Sequence, residues 1–203
     1  MADEKKPEAA TPKANPAATV RTALAETWAW YFETISFHWN VTGRDFPQLH
    51  DLFRTFYWDA QGAVDGLAEQ LRALDEFAPS SLAEIDEGSK ITFADKPPDS
   101  QAMVKKLAGD NEIVLGALDA AQHAASDADQ QGLANYLQDR INTHRKWGWM
   151  LKATASEAGV KDIAAQKKGP GSERLGKLLG AIKPEPKAVE EAEDEAPADG
   201  EGA

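Results

Sequence analysis

Four stretches of the chain repeat apolar residues at steps of three and four, the spacing that places them on one face of an α-helix. These stretches cover about residues 18–40, 47–76, 100–125 and 130–158. A shorter stretch at 81–87, capped by Ser80 or Ser81, predicts a brief helix within the long connection 77–99. The pattern therefore predicts an all-α fold, a four-helix bundle with a long crossover that carries a short extra helix between helices 2 and 3.

Each predicted helix has a stripe of residues that we expect to form the core. The stripe members are Val20, Leu24, Trp28, Tyr31 and Ile35; Leu49, Phe53, Phe56, Ala60, Val64, Leu67, Leu71 and Leu74; Val104, Leu107, Val114, Leu118, Ala121 and Ala125; and Leu133, Leu137, Ile141, His144 and Leu151. Its place on a stripe predicts that His144 is a hydrogen-bonded core histidine. His123 lies off its stripe and is predicted to be at the surface, whereas Trp147 and Trp149 are predicted to pack.

A second stripe follows the core stripe of helix 2 and is polar except for one tryptophan. Its members are His50, Arg54, Trp58, Gln61, Asp65, Glu69 and Arg72. A solvated face would explain the charges and is the usual interpretation of such a pattern. It explains less well a histidine toward one end and two carboxylates toward the other. His38 and His50 together are half of the four histidines in the chain, so a metal site is the competing interpretation.

Geometry limits where such a metal could bind. His50 and Asp65 are separated by fifteen positions on one helix, so they lie about 22 Å apart at ~1.5 Å per residue. Two such helices packed antiparallel, crossing near Trp58 and Asp59, would bring His50 of one chain opposite Asp65 and Glu69 of the other. A two-fold interface then generates two equivalent sites. A metal site built from these residues therefore predicts a dimer.

The types of side chain in this stripe suit iron. Imidazole plus carboxylate is a common environment for non-haem Fe(II), although zinc and manganese fit the same donors. Asp65 and Glu69 repel each other at i and i+4 on a bare helix, and a bound cation would relieve that repulsion. Without the histidines, the same pair would be interpreted as two solvated carboxylates.

Three motifs resemble one known family. They are His38-Trp39-Asn40-Val41-x-Gly43, Phe46-x-x-Leu49-His50-x-x-Phe53, and Asp65-x-x-Ala68-Glu69-Gln70-x-Arg72-Ala73-Leu74. Together with Ala78-Pro79, Asp139-Arg140-Ile141 and Trp149-Met150-Leu151, they resemble the Dps family (DNA-binding proteins from starved cells), the miniature ferritins. The resemblance extends over about residues 18–158. It implies a ferritin-like bundle that assembles into a hollow homo-dodecamer, with a di-iron ferroxidase site at each dimer interface.

The resemblance also implies roles for individual residues. His38 and His50 would be ligands from one subunit, and Asp65 and Glu69 would come from its partner. Trp39 would stand beside the iron and intercept oxidising equivalents. One position departs from the family, because Arg54 stands where relatives usually have Asp or Glu four residues after the second histidine. A cation there repels a second Fe(II), so occupancy by two irons is in doubt.

An acidic turn joins the third and fourth predicted helices. In the family, acids near this corner line the pores through which Fe(II) enters the shell, so Asp127 and Asp129 are pore candidates by location. An acidic helix-capping turn is the plainer interpretation of either residue.

Composition limits the remaining possibilities. The net charge is −12 and there is no cysteine, which argues against a generally basic surface and against thiolate metal sites. No secretory signal and no membrane-spanning apolar run is visible, so we expect a cytoplasmic location. Residues 1–17 and 160–203 are expected to be disordered tails around a domain at 18–159. The second tail is basic over 161–183 (net +4) and acidic from 184 onward (net −7).

Two functions follow from these observations. The favoured one is a miniferritin that oxidises Fe(II), with hydrogen peroxide as the oxidant implied by the resemblance, stores Fe(III) and protects DNA. The alternative is a nucleoid-packing or scaffold shell that acts through its charged tails, with a ferroxidase site weakened by Arg54. DNA binding is left open, because the lysines of the first tail are balanced by acids. A larger ferritin with a site inside one bundle is disfavoured, since it requires Glu-x-x-His motifs that the chain lacks.

Overall fold

The protein is seen in a computed structural model that describes residues 14–156. Five helices follow in order: α1 (Pro16–Asn40), α2 (Phe46–Ala73), α3 (Leu82–Gly88), α4 (Ser100–Asp127) and α5 (Gln131–Ala155). The described part of the chain contains no strand. This confirms the all-α prediction, with four long helices and a short fifth helix in the crossover between the second and third.

Three of the five described helices, α1, α3 and α4, begin with a side-chain cap of the type that the sequence chemistry favours. Asn15 accepts a hydrogen bond from the backbone N–H of Ala17, and Pro16 occupies the first turn of α1. Ser81 accepts from the N–H of Glu84 at 3.2 Å, which confirms one of the two predicted caps of α3. The boundary of α1 was predicted two residues late: the helix begins at Pro16, inside the segment predicted to be a disordered tail.

Helix α1 is buried on more than one side, because it packs against α2, α4 and α3. The apolar stripe predicted for it was therefore partly wrong. Trp28, Tyr31 and Ile35 are only half-buried, whereas Trp30 and Thr34 are completely buried. The Trp30 ring stacks on Trp147 with centroids 5.1 Å apart, and its Nε1 donates to the carbonyl of Leu107. The small residues of α1 allow several helices to approach it closely.

The stripes predicted for the other long helices agree with the structure. All the predicted core residues of α4 and α5 are buried, and those of α2 are buried except Val64 and Leu74, which are half-buried. Trp147 packs as predicted, but the prediction for Trp149 was wrong: this side chain is 67 % exposed. Successive residues of an α-helix point about 100° apart, so Trp149 faces away from the side of α5 that carries Gly148 and lies on its outer side.

A buried glutamate fixes the crossover on α1. Glu26 is 1 % exposed and accepts hydrogen bonds from the Ser89 hydroxyl at 2.7 Å and from the Lys90 N–H at 3.0 Å. These bonds attach the residues after α3 to the middle of the bundle. Residues 1–13 and 157–203, which include most of the first predicted tail and all of the second, lie outside the described residues. None of the helices in the described range is long and apolar enough to cross a membrane.

Candidate metal centre

Two predicted ligands meet where α1 ends and α2 begins. The chain leaves α1 at Val41, turns at Gly43 with a φ of +102°, and enters α2 at Phe46. A positive φ of this kind favours glycine. The resulting antiparallel hairpin stacks the imidazole of His38 on that of His50, with ring centroids 3.7 Å apart and an interplanar angle of 24°.

The two histidines hold each other through reciprocal backbone hydrogen bonds. Nδ1 of His38 lies 2.8 Å from the carbonyl oxygen of His50, and Nδ1 of His50 lies 2.9 Å from the carbonyl oxygen of His38. A carbonyl oxygen only accepts, so each Nδ1 carries the hydrogen and donates it. In the neutral ring the lone pair is then on Nε2, the arrangement that metal-binding histidines usually have. The donor set therefore fits Fe(II) or a similar divalent ion.

Aromatic rings pack around this histidine pair. The ring of Tyr57 meets His38 edge-on at 5.1 Å, and the ring of Phe46 lies 5.1 Å from His50. His38 is 8 % exposed and His50 is half-buried. These ring contacts restrict the orientation of both imidazoles.

The predicted carboxylate ligands are not near these histidines within the chain. Asp65 and Glu69 are exposed on α2, and the helical rise places Asp65 about 22 Å from His50. Among residues 14–156, no group of three or more His, Asp or Glu side chains is arranged to hold a metal ion. One chain thus brings together two of the four predicted ligands, and the role of the other two remains a prediction about a second chain.

Two neighbours of the pair face outward. Trp39 is 63 % exposed directly after His38. Arg54 forms an ion pair with Asp51 at 2.8 Å on the exposed surface of α2. Neither residue makes a contact within the described chain that assigns it a role in metal chemistry, so both stay predictions.

The two predicted pore residues lie together at the corner between α4 and α5. Asp127 is the last residue of α4, and Asp129 follows in the turn with a φ of +57°. Both side chains are exposed. The Asp129 N–H donates to the carbonyl of Ser126 at 3.1 Å, which closes the helix end. The two residues therefore belong to the turn that ends α4. Their role in a pore stays a prediction about the assembled shell.

A buried ionic cluster between α1 and α4 was missed by the sequence analysis. Nζ of Lys106 lies 3.0 Å from Oε1 of Glu33 and 2.8 Å from Oδ2 of Asp110. Burial, together with the neighbouring Asp110 carboxyl, raises the pKa of Glu33 to about 8. The i and i+4 spacing of Lys106 and Asp110 was visible in the sequence, but the partner on α1 was not. With this pKa the Glu33 carboxyl is mostly protonated at pH 7, so the ion pair of the cluster is the one between Lys106 and Asp110, and the cluster is structural.

The prediction for His144 is confirmed. The side chain is completely buried, and its Nδ1 lies 2.8 Å from Oδ1 of Asn111. Its Nε2 is buried without a hydrogen-bond partner in the described range. Burial, with a smaller contribution from the Arg140 charge, lowers the pKa of His144 to about 3. His123 is exposed, also as predicted.

Comparison with known proteins identifies the family. The family model of the ferritin-like domain matches residues 18–158. A DNA protection during starvation protein from Brevibacillus brevis is 32 % identical over 123 residues, which cover 61 % of this chain and 83 % of the relative. DNA protection during starvation protein 2 from Bacillus anthracis is 28 % identical, over 62 % of this chain and 87 % of the relative.

Solved structures agree with this relationship. The crystal structure of a Dps protein from Bacillus brevis superposes with a TM-score of 0.67 at 29 % identity, covering 70 % of this chain and 95 % of that one. The crystal structure of Dps from Staphylococcus aureus gives a TM-score of 0.67 at 26 % identity, covering 70 % and 96 %. The chain therefore belongs to the Dps family of ferritin-like proteins.

Proposed function

We propose that this protein is a Dps-type ferroxidase and iron store. Fe(II) is its substrate, and it binds at two equivalent sites in the interface of a dimer. Hydrogen peroxide takes the electrons, and the resulting Fe(III) is stored inside a shell of twelve subunits. Because peroxide is consumed together with Fe(II), DNA is protected from the hydroxyl radicals that the two would otherwise form.

The observation that carries this proposal is the paired geometry of His38 and His50. Each Nδ1 donates its hydrogen to the other residue's carbonyl. The lone pair of each Nε2 can therefore bind a cation. The two rings lie 3.7 Å apart, so a single cation can reach both of them.

The remaining ligands come from a second copy of the chain. Asp65 and Glu69 of the partner subunit complete the donor set that His38 and His50 begin. Their repulsion at i and i+4 falls when a cation lies between them. The carboxylates also balance the additional positive charge that iron acquires on oxidation, whereas imidazole binds Fe(II) without adding charge. Trp39, beside His38, is the residue exposed to stray oxidising equivalents.

Fe(II) reaches the interior through acidic pores. Asp127 and Asp129, exposed at the corner between α4 and α5, attract the cation at each pore. The net charge of −12 per chain adds to this attraction over the whole shell. The assembled shell acts in the cytoplasm and associates with the nucleoid when its tails bind DNA.

The test is anaerobic Fe(II) binding followed by a pulse of hydrogen peroxide. The wild type is compared with the double variant His50→Ala, Asp65→Ala. The matched control is His123→Ala, which removes an exposed histidine outside the site. Saturable binding and rapid oxidation in the wild type and the control, both lost in the double variant, support the proposal. Binding that survives the double substitution would disprove it.

A second function, DNA packing by a shell without efficient ferroxidase sites, is favoured by Arg54 and by the charge of the second tail. Residues 161–183 carry six basic and two acidic side chains. Twelve copies of this segment would bind phosphates with a steep dependence on salt. DNA retardation at increasing salt, with and without residues 160–203, tests this function. DNA packing would replace the ferroxidase proposal if the wild type retards DNA and does not oxidise Fe(II).

A further inference from the structure

The charged side chains on the outer face of α2 are divided between its two halves. His50 and Arg54 lie toward the beginning of the helix, and Asp65 and Glu69 lie toward its end. At about 100° per residue, all four positions fall within ~100° of the helix circumference and therefore share one face. A face with basic side chains at one end and carboxylates at the other is complementary in charge to an antiparallel second copy of itself.

Helix geometry places Arg54 beside one particular carboxylate of that second copy. When His50 lies opposite the midpoint between Asp65 and Glu69 of the partner subunit, the two α2 helices cross midway between positions 50 and 67. At ~1.5 Å per residue, Arg54 then lies about 7 Å along the axis from the crossing point, and the partner's Asp65 lies about 10 Å from it on the same side. Their offset is about 3 Å, whereas the offset between Arg54 and the partner's Glu69 is about 9 Å.

The directions of the side chains favour the same pairing. A helical side chain leans toward the N-terminal end of its own helix. In the antiparallel pair, Arg54 therefore leans toward the partner's Asp65, and that carboxylate leans toward Arg54. The partner's Glu69 leans instead toward the level of His50. The two carboxylates of the partner thus have different neighbours, a guanidinium group and an imidazole.

The contact that Arg54 makes within its own chain is a weak one. Its Nη2 lies 2.8 Å from Oδ1 of Asp51, and the two side chains are 47 % and 67 % exposed. Exposed pairs of this kind contribute little to stability, because water and salt screen their charges. The guanidinium group keeps its charge over the whole physiological pH range, and a carboxylate in an interface that excludes water attracts it more strongly.

We propose that Arg54 is the counter-ion of the partner's Asp65 in the metal-free dimer, and that Fe(II) displaces it from that carboxylate. The guanidinium group offsets the repulsion between Asp65 and Glu69 of the partner subunit until a metal does so. Arg54 follows His50 by one helical turn, and a unit charge at ~6 Å weakens binding of a divalent ion about tenfold even in water. Arg54 therefore lowers the affinity for Fe(II) and stabilises the dimer without it. The inference rests on the shared site proposed above.

The first measurement is anaerobic binding of Co(II), a divalent ion that is not oxidised in this assay. The wild type is compared with Arg54→Gln, which removes the charge. The matched control is Arg145→Gln, because Arg145 is also an exposed arginine, 3.7 Å from Asp119, but lies on α5. The dissociation constant for Co(II) should fall about tenfold in Arg54→Gln and stay at the wild-type value in Arg145→Gln.

The second measurement is native mass spectrometry of the protein in the presence of a chelator. Arg54→Asp and Asp65→Arg each bring like charges together in the metal-free interface, so each single variant should dissociate more readily than the wild type. The double variant Arg54→Asp, Asp65→Arg should assemble again, because the exchanged charges attract each other.

Unchanged Co(II) affinity in Arg54→Gln, or a double variant that dissociates as readily as the single variants, would overturn the role of Arg54. The ferroxidase proposal would survive that result if Co(II) binding in the wild type is lost in His50→Ala, Asp65→Ala. A wild type that does not bind Co(II) would overturn both.

Discussion

The buried histidine of α5 should make the fold sensitive to acid. In the folded chain His144 is completely buried, with a pKa lowered to about 3, whereas an unfolded histidine titrates near its ordinary value of 6.5. Between these two pKa values, His144 is protonated in the unfolded state and neutral in the folded state. The stability that this provides is fully present above pH 6.5 and is lost as the pH falls toward 3.

The size of the effect follows from the difference between the two pKa values. Each unit of pKa corresponds to about 1.4 kcal/mol, so His144 removes on the order of 3 kcal/mol of unfolding free energy between pH 7 and pH 4. The substitution His144→Gln keeps a side-chain amide that can donate to Oδ1 of Asn111, and it does not titrate. The variant should therefore lose about 3 kcal/mol less than the wild type over this range.

The assay is urea unfolding followed by circular dichroism at several pH values, with equal subunit concentration throughout because assembly contributes to stability. Carboxylates also titrate in this range, but they do so in both proteins and cancel in the comparison. The control is His123→Gln, which should parallel the wild type because His123 is exposed. Parallel curves for His144→Gln and the wild type would refute the reasoning, since the buried site would then accept a charge.

Four further substitutions test other parts of the structure. Gly66→Ala should destabilise the fold by ~1–3 kcal/mol in thermal unfolding, because the added Cβ collides with the Tyr136 hydroxyl. Gly109→Ala is the matched control: its Cβ has no neighbour within 4 Å, so it should stabilise the fold by ~0.5–1 kcal/mol. Lys106→Met leaves two buried carboxyls without their cation and should destabilise by ~3–5 kcal/mol in urea, less at pH 5 than at pH 8. Arg54→Asp should strengthen binding of a second Fe(II); unchanged stoichiometry and oxidation rate would place Arg54 away from the metals.

The sequence predicted those features that depend on periodicity within one helix. The core stripes of α4 and α5 and the burial of His144 follow from the spacing of apolar residues, and the short helix in the crossover follows from its serine cap. The meeting of His38 with His50 was also predictable, because both lie beside one short turn. The ferritin-like topology needed the family motifs, since periodicity does not say which helices pack together.

The features that were missed depend on contacts between helices. Helix α1 packs against three other helices, so a single apolar stripe could not describe its buried surface. Glu26 and Glu33 are buried because partners on the crossover and on α4 bind them, and no local pattern reveals those partners. Trp149 shows the reverse case, because a large apolar residue on a helix is not necessarily in the core of its own chain.

The central claim, that each iron site uses histidines of one chain and carboxylates of another, is tested most directly by mixing two inactive variants. One carries His38→Ala and His50→Ala, and the other carries Asp65→Ala and Glu69→Ala. When the two are unfolded, mixed equally and reassembled, each mixed dimer should contain one intact site, so about a quarter of wild-type Fe(II) oxidation should return. If the mixture stays as inactive as its parents while mass spectrometry shows mixed dimers, the site is not shared between chains.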